Sequence, residues 1–242
     1  MDKLFVNEIR EIEICEVDYS GQYRLAHIFN RFAEVATRGA VKLGMWKEDM
    51  HDSYGWVVAK QTLKLKQPIQ YKDVIDISST IGKGTFVTFP RYYFIKKDED
   101  VIAECSSIWT LIDLKNRRIV PPKRIGIDIP EITHDIQLDL PKTIQIDIPM
   151  TYMCQRQVLY SDVDINQHMN NTRYIQWAFD IMDYQVHQDH FVDEISINYK
   201  KEIRPLEYVD LYLGNDGHRY IIEGKNKEEV YFTIEIHFSK II

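Results

Sequence analysis

The hydrophobic positions in the first half of the chain predict one long helix followed by antiparallel strands. Residues 5–17 alternate loosely and are rich in β-branched side chains, which indicates a strand. Between Leu25 and Ala40, apolar side chains recur mostly at spacings of three and four, so this segment should form an amphipathic helix of about five turns. Turn signals separate the strand-like runs that follow, which are residues 56–59, 61–66, 73–81, 86–96 and 101–113.

The second half repeats this order from Thr151 onward. Residues 153–159 predict a strand, and an apolar stripe over residues 174–182 predicts a helix. The four residues from Val17, before the first helix, resemble the four from Val158, before the second, which supports an internal duplication. Further strands are predicted at residues 191–199, 208–213, 219–223 and 229–238.

A segment between the two repeats breaks both patterns. Residues 117–150 carry five prolines and only short apolar runs, so we interpret them as a crossing segment, partly extended, on the surface of both halves. One helix packed across an antiparallel sheet, twice over, is an α+β arrangement. We predict a first domain over residues 1–135, an interdomain segment over 136–150 and a second domain over 151–242.

Composition and charge narrow the classes of function. The 242 residues are 45% hydrophobic with a net charge of −7, which argues against nucleic acid as a partner, since phosphate binding needs a basic face. The three cysteines are far apart and form no CxxC pair, so neither a disulfide framework nor a metal site is expected, and no cofactor is indicated. No apolar window is long enough to span a membrane and the N-terminus has no targeting signal, so we expect a cytoplasmic protein.

Candidate chemistry is concentrated just before the second helix, where Asp164, Asn166 and His168 stand at alternate positions. A histidine can transfer protons near neutral pH, and an asparagine can orient water or donate to an oxyanion. The aspartate can fix the tautomer of the histidine or the geometry of the asparagine. Backbone amides at the helix start can also donate to the oxyanion. These groups suit the hydrolysis of a thioester, in which water adds to a carbonyl carbon. Turn formation by the same residues, and an N-cap at Asn170 or Asn171, remain open alternatives.

The polar stretch and a second motif downstream resemble the acyl-acyl-carrier-protein (acyl-ACP) thioesterases, a family of plant plastid and bacterial enzymes. Residues 161–175 are close to the family pattern Ser-Asp-x-Asp-x-Asn-x-His-Val-Asn-Asn-x-x-Tyr-Ile. Residues 199–203 resemble its Tyr-Arg-Arg-Glu-Cys, and Glu202 follows His168 at the family's spacing. The resemblance covers nearly the whole chain, which is similar to the bacterial members because it has no plastid transit segment. When the two repeats are aligned, Pro68 of the first half is at the position of Glu202, and the first half has no Asp-x-Asn-x-His motif. One active site per chain is therefore expected.

The resemblance implies a tandem (double) hot-dog fold, in which each half is a long helix wrapped by an antiparallel sheet. It implies a thiolester hydrolase that releases free fatty acid from fatty acyl-ACP and so terminates chain elongation in fatty acid biosynthesis. It assigns catalysis to the second half, with Asp164, Asn166, His168 and Glu202 as the catalytic set. The family often has cysteine after the glutamate, whereas Ile203 stands here. Because isoleucine cannot act as a nucleophile, Glu202 must be the general base or the nucleophile.

The resemblance also implies that the first half mostly shapes the pocket for the acyl chain. Apolar residues of the first helix and of the segment after it are therefore candidates for the lining. Core packing is the alternative for residues that recur at helical spacing. The candidates are Phe29, Phe32, Ala36, Trp46 and Trp56.

The partner implied is an acyl carrier protein that bears a phosphopantetheine-linked acyl chain. This carrier is acidic, so its docking surface should be basic. An ordinary solvated surface is the alternative for each basic cluster. The leading candidates for docking are Arg117, Arg118, Lys123 and Arg124.

Two other functions stay open on the sequence alone. An acyl-CoA thioesterase on the same fold would differ in the carrier that it accepts. A non-catalytic acyl-binding module would bind the acyl chain without releasing free thiol. Hot-dog proteins often dimerise, but the tandem halves already supply that pairing internally, so either a monomer or a homodimer is expected.

Overall fold

Two α-helices and eleven β-strands make up the part of the chain that the computed structural model describes, which is residues 5–132, 136–227 and 229–241. The helices are α1 (Leu25–Lys42) and α2 (Asn171–Asp180). The strands of the first half are β1 (Val6–Glu11), β2 (Tyr54–Leu65), β3 (Val74–Ile81), β4 (Phe89–Lys97), β5 (Asp100–Asp113) and β6 (Arg118–Ile119). Those of the second half are β7 (Thr151–Gln157), β8 (His190–Tyr199), β9 (Tyr208–Asn215), β10 (Tyr220–Asn226) and β11 (Glu229–Lys240).

All of these strands belong to one antiparallel sheet with a mirrored order. The order is β1-β3-β4-β5-β2-β8-β11-β10-β9-β7, with the short β6 added on β5. The two halves run through equivalent strands in opposite order, and they meet where β2 pairs with its counterpart β8. At that junction the hydroxyl oxygens of Thr62 and Ser196 lie 2.8 Å apart. The predicted α+β class and the repetition of one half-fold are confirmed.

The helices pack on the sheet and share one core. Phe32 of α1 is fully buried and stacks on Tyr93 of β4, with 4.5 Å between the ring centroids. Tyr174 of α2 packs edge-on against Phe232 of β11, with 4.9 Å between the centroids. These side chains belong to a single hydrophobic cluster that joins both halves. Among the described residues, neither helix combines the length and the apolar character needed to cross a bilayer.

The predicted strands differ from those in the structure at two places. The two runs predicted between residues 56 and 66 form the single strand β2, and a bulge between Val58 and Lys60 accounts for the break in alternation. The strand predicted at the start of the chain ends at Glu11, and a short 3-10 helix over Ile14–Glu16 follows it.

Backbone pairing defines the register of the internal repeat. Val17 bridges Tyr23 in the first half, and Val163 bridges Met169 in the second. Val17 therefore corresponds to Val163, and the sequence echo that aligned it with Val158 is out of register. Four residues of similar composition are too short a segment to define register, whereas a bridge is set by the path of the backbone.

The segment between the halves runs along the face of the sheet opposite the helices. Asn198 of β8 holds it at two points, because its side chain accepts from the Ile144 N–H (2.8 Å) and donates to the Lys142 carbonyl (3.1 Å). Ser106 of β5 donates to the Asp139 carbonyl (2.7 Å). The segment therefore contacts strands of both halves. The predicted end of the first domain lies outside the described residues, and the division into three parts stays a prediction.

Candidate active site

A cleft of about 790 Å³ opens between the two halves and is the candidate site. Its polar end is formed by the second half, with Asp164, Asn166, His168 and Glu202 all in its wall. A cleft of this size with a few convergent polar groups is typical of a small-molecule site. The structure thus brings together all four residues of the predicted catalytic set. The remaining walls come largely from the first half and include Ala36, Ala40, Met45, Trp46, Trp56, Ile81 and Phe89.

A tight loop over residues 163–169 presents the polar motif. The N–H of Asp164 donates to the His168 carbonyl (3.1 Å), and the N–H of Gln167 donates back to the Asp164 carbonyl (3.0 Å). The Asp164 carboxylate accepts from the N–H of Asn166 (2.8 Å), which forms an Asx turn. Gln167 takes a left-handed backbone conformation (φ 63°), which closes the loop. Asp164 is therefore the residue that builds this loop.

Asn170 is the N-cap of α2, which decides between the two asparagines considered for that role. Its Oδ1 accepts from the backbone N–H (2.9 Å) and the hydroxyl (2.7 Å) of Thr172. Asn171 is then the first residue of the helix, and it lies in the cleft wall. The N–H of Thr172 is taken by this cap and the N–H of Arg173 donates to the Asn170 carbonyl (2.9 Å). Among the described residues, the N–H of Asn171 has no partner within the helix, so it is the donor that the start of α2 brings to the polar end of the cleft.

The first half builds the same loop with different side chains. The Asp18 carboxylate accepts from the N–H of Ser20 (2.9 Å), and the N–H of Asp18 donates to the Gln22 carbonyl (2.9 Å). Gly21 takes the left-handed backbone conformation (φ 80°). Ser20 and Gln22 thus stand where the second half has its amide and imidazole. The aspartate is common to both loops.

Glu202 meets His168 because the two segments pair through their backbones. The N–H of Met169 donates to the Ile203 carbonyl (2.8 Å), which brings the preceding side chains together. His168 Nε2 lies 3.6 Å from Glu202 Oε1, and Nη1 of Arg117 lies 2.6 Å from Glu202 Oε2. The histidine and glutamate side chains are 19% and 28% exposed, so both reach solvent at the mouth of the cleft.

The position equivalent to Glu202 in the first half holds a proline. There the N–H of Tyr23 donates to the Ile69 carbonyl (2.7 Å), which is the same pairing, so Pro68 occupies the position of the glutamate. The first half therefore keeps the backbone of the site without its carboxylate, amide and imidazole.

The hydrogen bonds of the Asp164 carboxylate go to the loop. Besides the N–H of Asn166, Nδ2 of Asn170 lies 3.5 Å from it. His168 Nδ1 lies 3.4 Å from the Met169 carbonyl oxygen, and among the described residues it has no hydrogen bond to Asp164. Of the two roles considered for this aspartate, fixing the loop that carries the asparagine fits the geometry, and fixing the histidine tautomer does not.

Position 203 faces the core and not the cleft. Ile203 is fully buried in the main hydrophobic cluster, whereas Glu202 lines the cleft. Successive side chains of an extended segment point in opposite directions. A cysteine at position 203 would therefore have no access to the cleft, whereas the carboxylate of Glu202 faces it.

Two tyrosines form part of the wall at the polar end. Burial raises the pKa of Tyr174 above its usual range, and the neighbouring carboxylates of Glu202 and Asp164 act in the same direction. Burial also raises the pKa of Tyr199, whose hydroxyl donates to the Asn171 carbonyl (3.3 Å). Both hydroxyls therefore add no negative charge to the wall at neutral pH.

The predicted acyl-pocket residues divide between the cleft and the core. Ala36, Trp46 and Trp56 lie in the cleft wall. Phe29 and Phe32 are buried in the main core and are not part of that wall. The alternative of ordinary core packing therefore describes these two phenylalanines.

The predicted docking residues also lie in different places. Arg117 forms the ion pair with Glu202 and lines the cleft, so it is part of the site itself. Arg118, Lys123 and Arg124 are exposed, on β6 and on the short 3-10 helix that follows it. These three are free to contact a partner.

Several residues of the cleft wall had no distinguishing signal in the sequence. Ile81, Phe89 and Arg91 belong to strand patterns, and alternation alone does not tell which inward residue meets a cleft. The approach of Arg117 to Glu202 likewise depends on the tertiary structure. In the part of the chain that the structure describes, no three histidine, cysteine or acidic side chains are grouped to hold a metal ion.

Two family models match the chain over most of its length. The acyl-ACP thioesterase N-terminal domain matches residues 4–128, and the acyl-ACP thioesterase C-terminal domain matches residues 148–240. The chloroplastic palmitoyl-acyl carrier protein thioesterase of Cuphea hookeriana is 23% identical over 170 residues, which are 65% of this chain and 39% of that protein. The chloroplastic dodecanoyl-[acyl-carrier-protein] hydrolase of Umbellularia californica is 20% identical over 156 residues, 61% of this chain and 41% of that protein. The chain thus spans about two fifths of the length of these relatives.

Solved structures share the fold along the whole chain. An acyl-ACP thioesterase from Bacteroides thetaiotaomicron superposes with a TM-score of 0.85 at 19% identity, covering 99% of this chain and 100% of that one. The 12:0-ACP thioesterase from Umbellularia californica gives a TM-score of 0.79 at 16% identity, covering 98% of each chain. The fold is therefore the double hot-dog fold, and with both family models matched the chain belongs to the acyl-ACP thioesterase family.

Proposed function

We propose that this chain hydrolyses the thioester of fatty acyl-ACP and releases the free fatty acid, the step that ends chain elongation in fatty acid biosynthesis. The observation that carries the proposal is the pairing of His168 with Glu202 at the mouth of a largely apolar cleft. The pair supplies proton transfer, and the apolar walls supply a place for the acyl chain. Membership of the family supports the same reaction.

Glu202 is the general base in this reaction. Its carboxylate takes a proton from water, and the water oxygen adds to the thioester carbonyl carbon. The side-chain amide of Asn166 and the N–H of Asn171, the first residue of α2, hold the oxyanion. When the tetrahedral intermediate collapses, the C–S bond breaks and the phosphopantetheine sulfur leaves as a thiolate. The proton reaches that sulfur through His168, whose Nε2 is 3.6 Å from Glu202 Oε1.

Arg117 is a positioning residue in this scheme. Its contact with Oε2 of Glu202 (2.6 Å) holds one carboxylate oxygen and leaves Oε1 on the side of His168. A charge-assisted hydrogen bond of this kind fixes orientation as well as adding energy. Because Arg117 comes from the first half, that half contributes to the chemistry as well as to the pocket.

Three exposed cations, Arg118, Lys123 and Arg124, are the proposed dock for the acidic carrier. They follow Arg117 in the chain, so a carrier bound there delivers its phosphopantetheine arm close to Glu202. Opposite charges at such a surface raise the rate of encounter more than the final affinity. The cytoplasmic location and the monomeric or dimeric state stay predictions.

The test of the proposed function is the release of free thiol from acyl-ACP and acyl-CoA substrates of matched chain length. We expect hydrolysis of acyl-ACP, and for Glu202→Gln a loss of about 100-fold or more in kcat, because the variant lacks the base but keeps the shape. The matched control is Glu229→Gln, which removes an exposed carboxylate paired with Lys201 and should retain activity. A loss of less than about tenfold for Glu202→Gln contradicts its assignment as the base.

The same measurements separate the two alternatives. Faster turnover of acyl-CoA than of acyl-ACP would identify an acyl-CoA thioesterase on this fold. Tight binding of the acyl chain with no release of thiol would identify an acyl-binding module.

A further inference from the structure

One buried cation interrupts an apolar surface next to the cleft. Along β4, Phe89, Tyr93 and Ile95 are buried on the face of the sheet that lies under α1, and Arg91 is on the same face by alternation. Arg91 is only 6% exposed, and it forms part of the cleft wall. Arginine is rarely buried to this extent unless it is paired.

The protein uses little of the hydrogen-bonding capacity of this arginine. Its Nη1 donates to Ser79 Oγ (3.0 Å), and within the described residues the guanidinium makes no other hydrogen bond and no ion pair. A guanidinium has five N–H donors. A buried charge without a counter-ion is costly, so a partner of opposite charge is expected from outside the protein.

The helix above the guanidinium makes room for it. Gly39 of α1 lies against Arg91, and a Cβ at that position would be 2.8 Å from Nη1. Glycine in the interior of a helix is less stable than alanine. Gly39 therefore allows the buried position of the guanidinium at some expense of helix stability.

We propose that Arg91 binds a carboxylate at the far end of the acyl chain, so that the cleft accepts acyl groups that end in a carboxylate, the half-thioesters of dicarboxylic acids. The inference rests on the proposed function, which places the thioester beside Glu202. In the sheet, β4 is three steps from β8, the strand that precedes Glu202, and at the usual strand spacing this is about 14 Å. The methylene segment between the two ends lies along apolar walls such as Trp56 and Ile81.

A carboxylate suits this site better than a methyl or a hydroxyl group does. The guanidinium fork matches a carboxylate with two parallel hydrogen bonds. A methyl end would leave Arg91 charged, desolvated and unpaired. A hydroxyl end would accept a hydrogen bond but would supply no opposite charge.

Matched pairs of acyl-ACP substrates test the inference. The two members of a pair have the same number of methylenes and end in a methyl group or in a carboxylate. At the chain length that fits the cleft, kcat/KM of the wild type should be higher for the carboxylate member by about tenfold or more, the effect of one charged hydrogen-bonding group. Arg91→Met should abolish this preference. Arg38→Met, which removes an exposed α1 arginine paired with Glu8, should leave it unchanged.

A binding measurement gives an independent readout in case Arg91→Met does not fold. Its probes are monomethyl decanedioate, which has one carboxylate, and methyl decanoate, which has none. The wild type should bind the first about tenfold or more tightly, and Arg91→Lys, which keeps the charge but loses the fork, should weaken that preference. No preference for the carboxylate in either measurement overturns the inference, while hydrolysis of methyl-ended substrates would leave the proposed function standing. Absence of all hydrolysis overturns the proposed function, and the binding comparison then decides on Arg91.

Discussion

At the scale of single residues, a comparison of Asp18 with Asp164 distinguishes a structural role in the loop from a role in the proposed reaction. Each carboxylate accepts a hydrogen bond from the N–H two positions further on, at 2.9 Å and 2.8 Å. The first-half loop keeps this carboxylate although Gln22 and Pro68 stand where the second half has its histidine and its glutamate. The aspartate therefore holds the loop in shape, and Asn166 and His168, whose places in the first half are taken by Ser20 and Gln22, are the side chains available for the proposed reaction.

We expect Asp164→Asn to retain most of the activity, because an asparagine Oδ1 can accept the same backbone hydrogen bond. Its kcat/KM should fall by less than about tenfold, whereas Asp164→Ala should fall further and lose about 1 kcal/mol of stability with that bond. Thiol-release kinetics and chemical denaturation measure the two effects. A loss for Asp164→Asn as large as that for Glu202→Gln would instead make this carboxylate a participant in the reaction.

The buried side chain at position 203 leads to a second prediction at this scale. Ile203→Cys in a Glu202→Gln background should restore no hydrolysis, because the thiol would be enclosed in the core. The smaller side chain should also cost about 2 kcal/mol of stability. Thiol-release kinetics before and after alkylation provide the measurement. Recovered activity that alkylation abolishes would show that this side chain reaches the cleft.

At the scale of elements, the turn after β5 places a first-half arginine, Arg117, beside Glu202 of the second half. Asp113 accepts from the N–H groups of Lys115 (2.9 Å) and Asn116 (2.8 Å), and the hydrogen bonds from Asn116 are the main cause that lowers the pKa of Asp113. Arg117 takes a left-handed backbone conformation (φ 53°), and its N–H donates to the Asp113 carbonyl (2.8 Å). A turn held at several points presents the Arg117 side chain to Glu202 in a defined direction.

Substitutions of the neighbouring Arg117 and Arg118 should have different effects, the first on the reaction and the second on carrier binding. Arg117→Gln removes the ionic partner of Glu202 and should lower kcat by about tenfold or more, with acyl-ACP and with a small pantetheine thioester alike. Arg118→Gln should raise KM for acyl-ACP at low salt by about two- to fivefold and leave the small thioester unaffected. Steady-state kinetics on both substrates are the readout. If both changes altered the same parameter on the same substrates, the two roles would not be distinct.

The first helix and the strands beneath it should limit the length of the acyl chain. Ala40 lies in the cleft wall and packs against the cluster that contains Met45 and Ile81. Ala40→Leu fills part of the cleft, and each methylene that can no longer be buried should cost about 0.8 kcal/mol, or about fourfold in kcat/KM. Ala33→Leu, at an exposed position of the same helix, is the control. The fatty acids released from a mixture of acyl-ACPs report the shift to shorter chains, and an unchanged profile would place the chain end elsewhere.

At the scale of the whole molecule, local patterns are enough to predict two α+β halves. The stripe of α1 is a run of apolar residues at helical spacing, and the strands are short alternating segments. The polar loop over residues 163–169 is contiguous, so its position before α2 can be read directly. Glu202 can be located because residues 199–203 resemble a motif of the acyl-ACP thioesterases, at the spacing that the family has. Each of these features depends on residues close together in the sequence.

The features that could not be predicted depend on contacts between distant segments. Arg117 has the sequence context of a surface cation, and its pairing with Glu202 exists only because the two halves share one sheet. Phe32 and Ala36 belong to the same helical stripe, and periodicity does not tell which part of a buried face meets the core and which meets a cleft. Arg91 stands in an ordinary strand pattern, and that pattern does not reveal that its guanidinium has no counter-ion among the described residues.

The presence of Pro68 at the first-half position equivalent to Glu202 has a consequence for how a protein of this fold can evolve. A half that lacks the amide, imidazole and glutamate of the proposed site is less constrained by the proposed reaction, apart from Arg117. Mutations in its part of the cleft wall can change which acyl chain fits while the reacting loop in the other half stays intact. If the proposed function holds, the fatty acids released can diverge through the half that lacks the His168–Glu202 pair, and an engineer who wants a different product can confine a mutant library to that half.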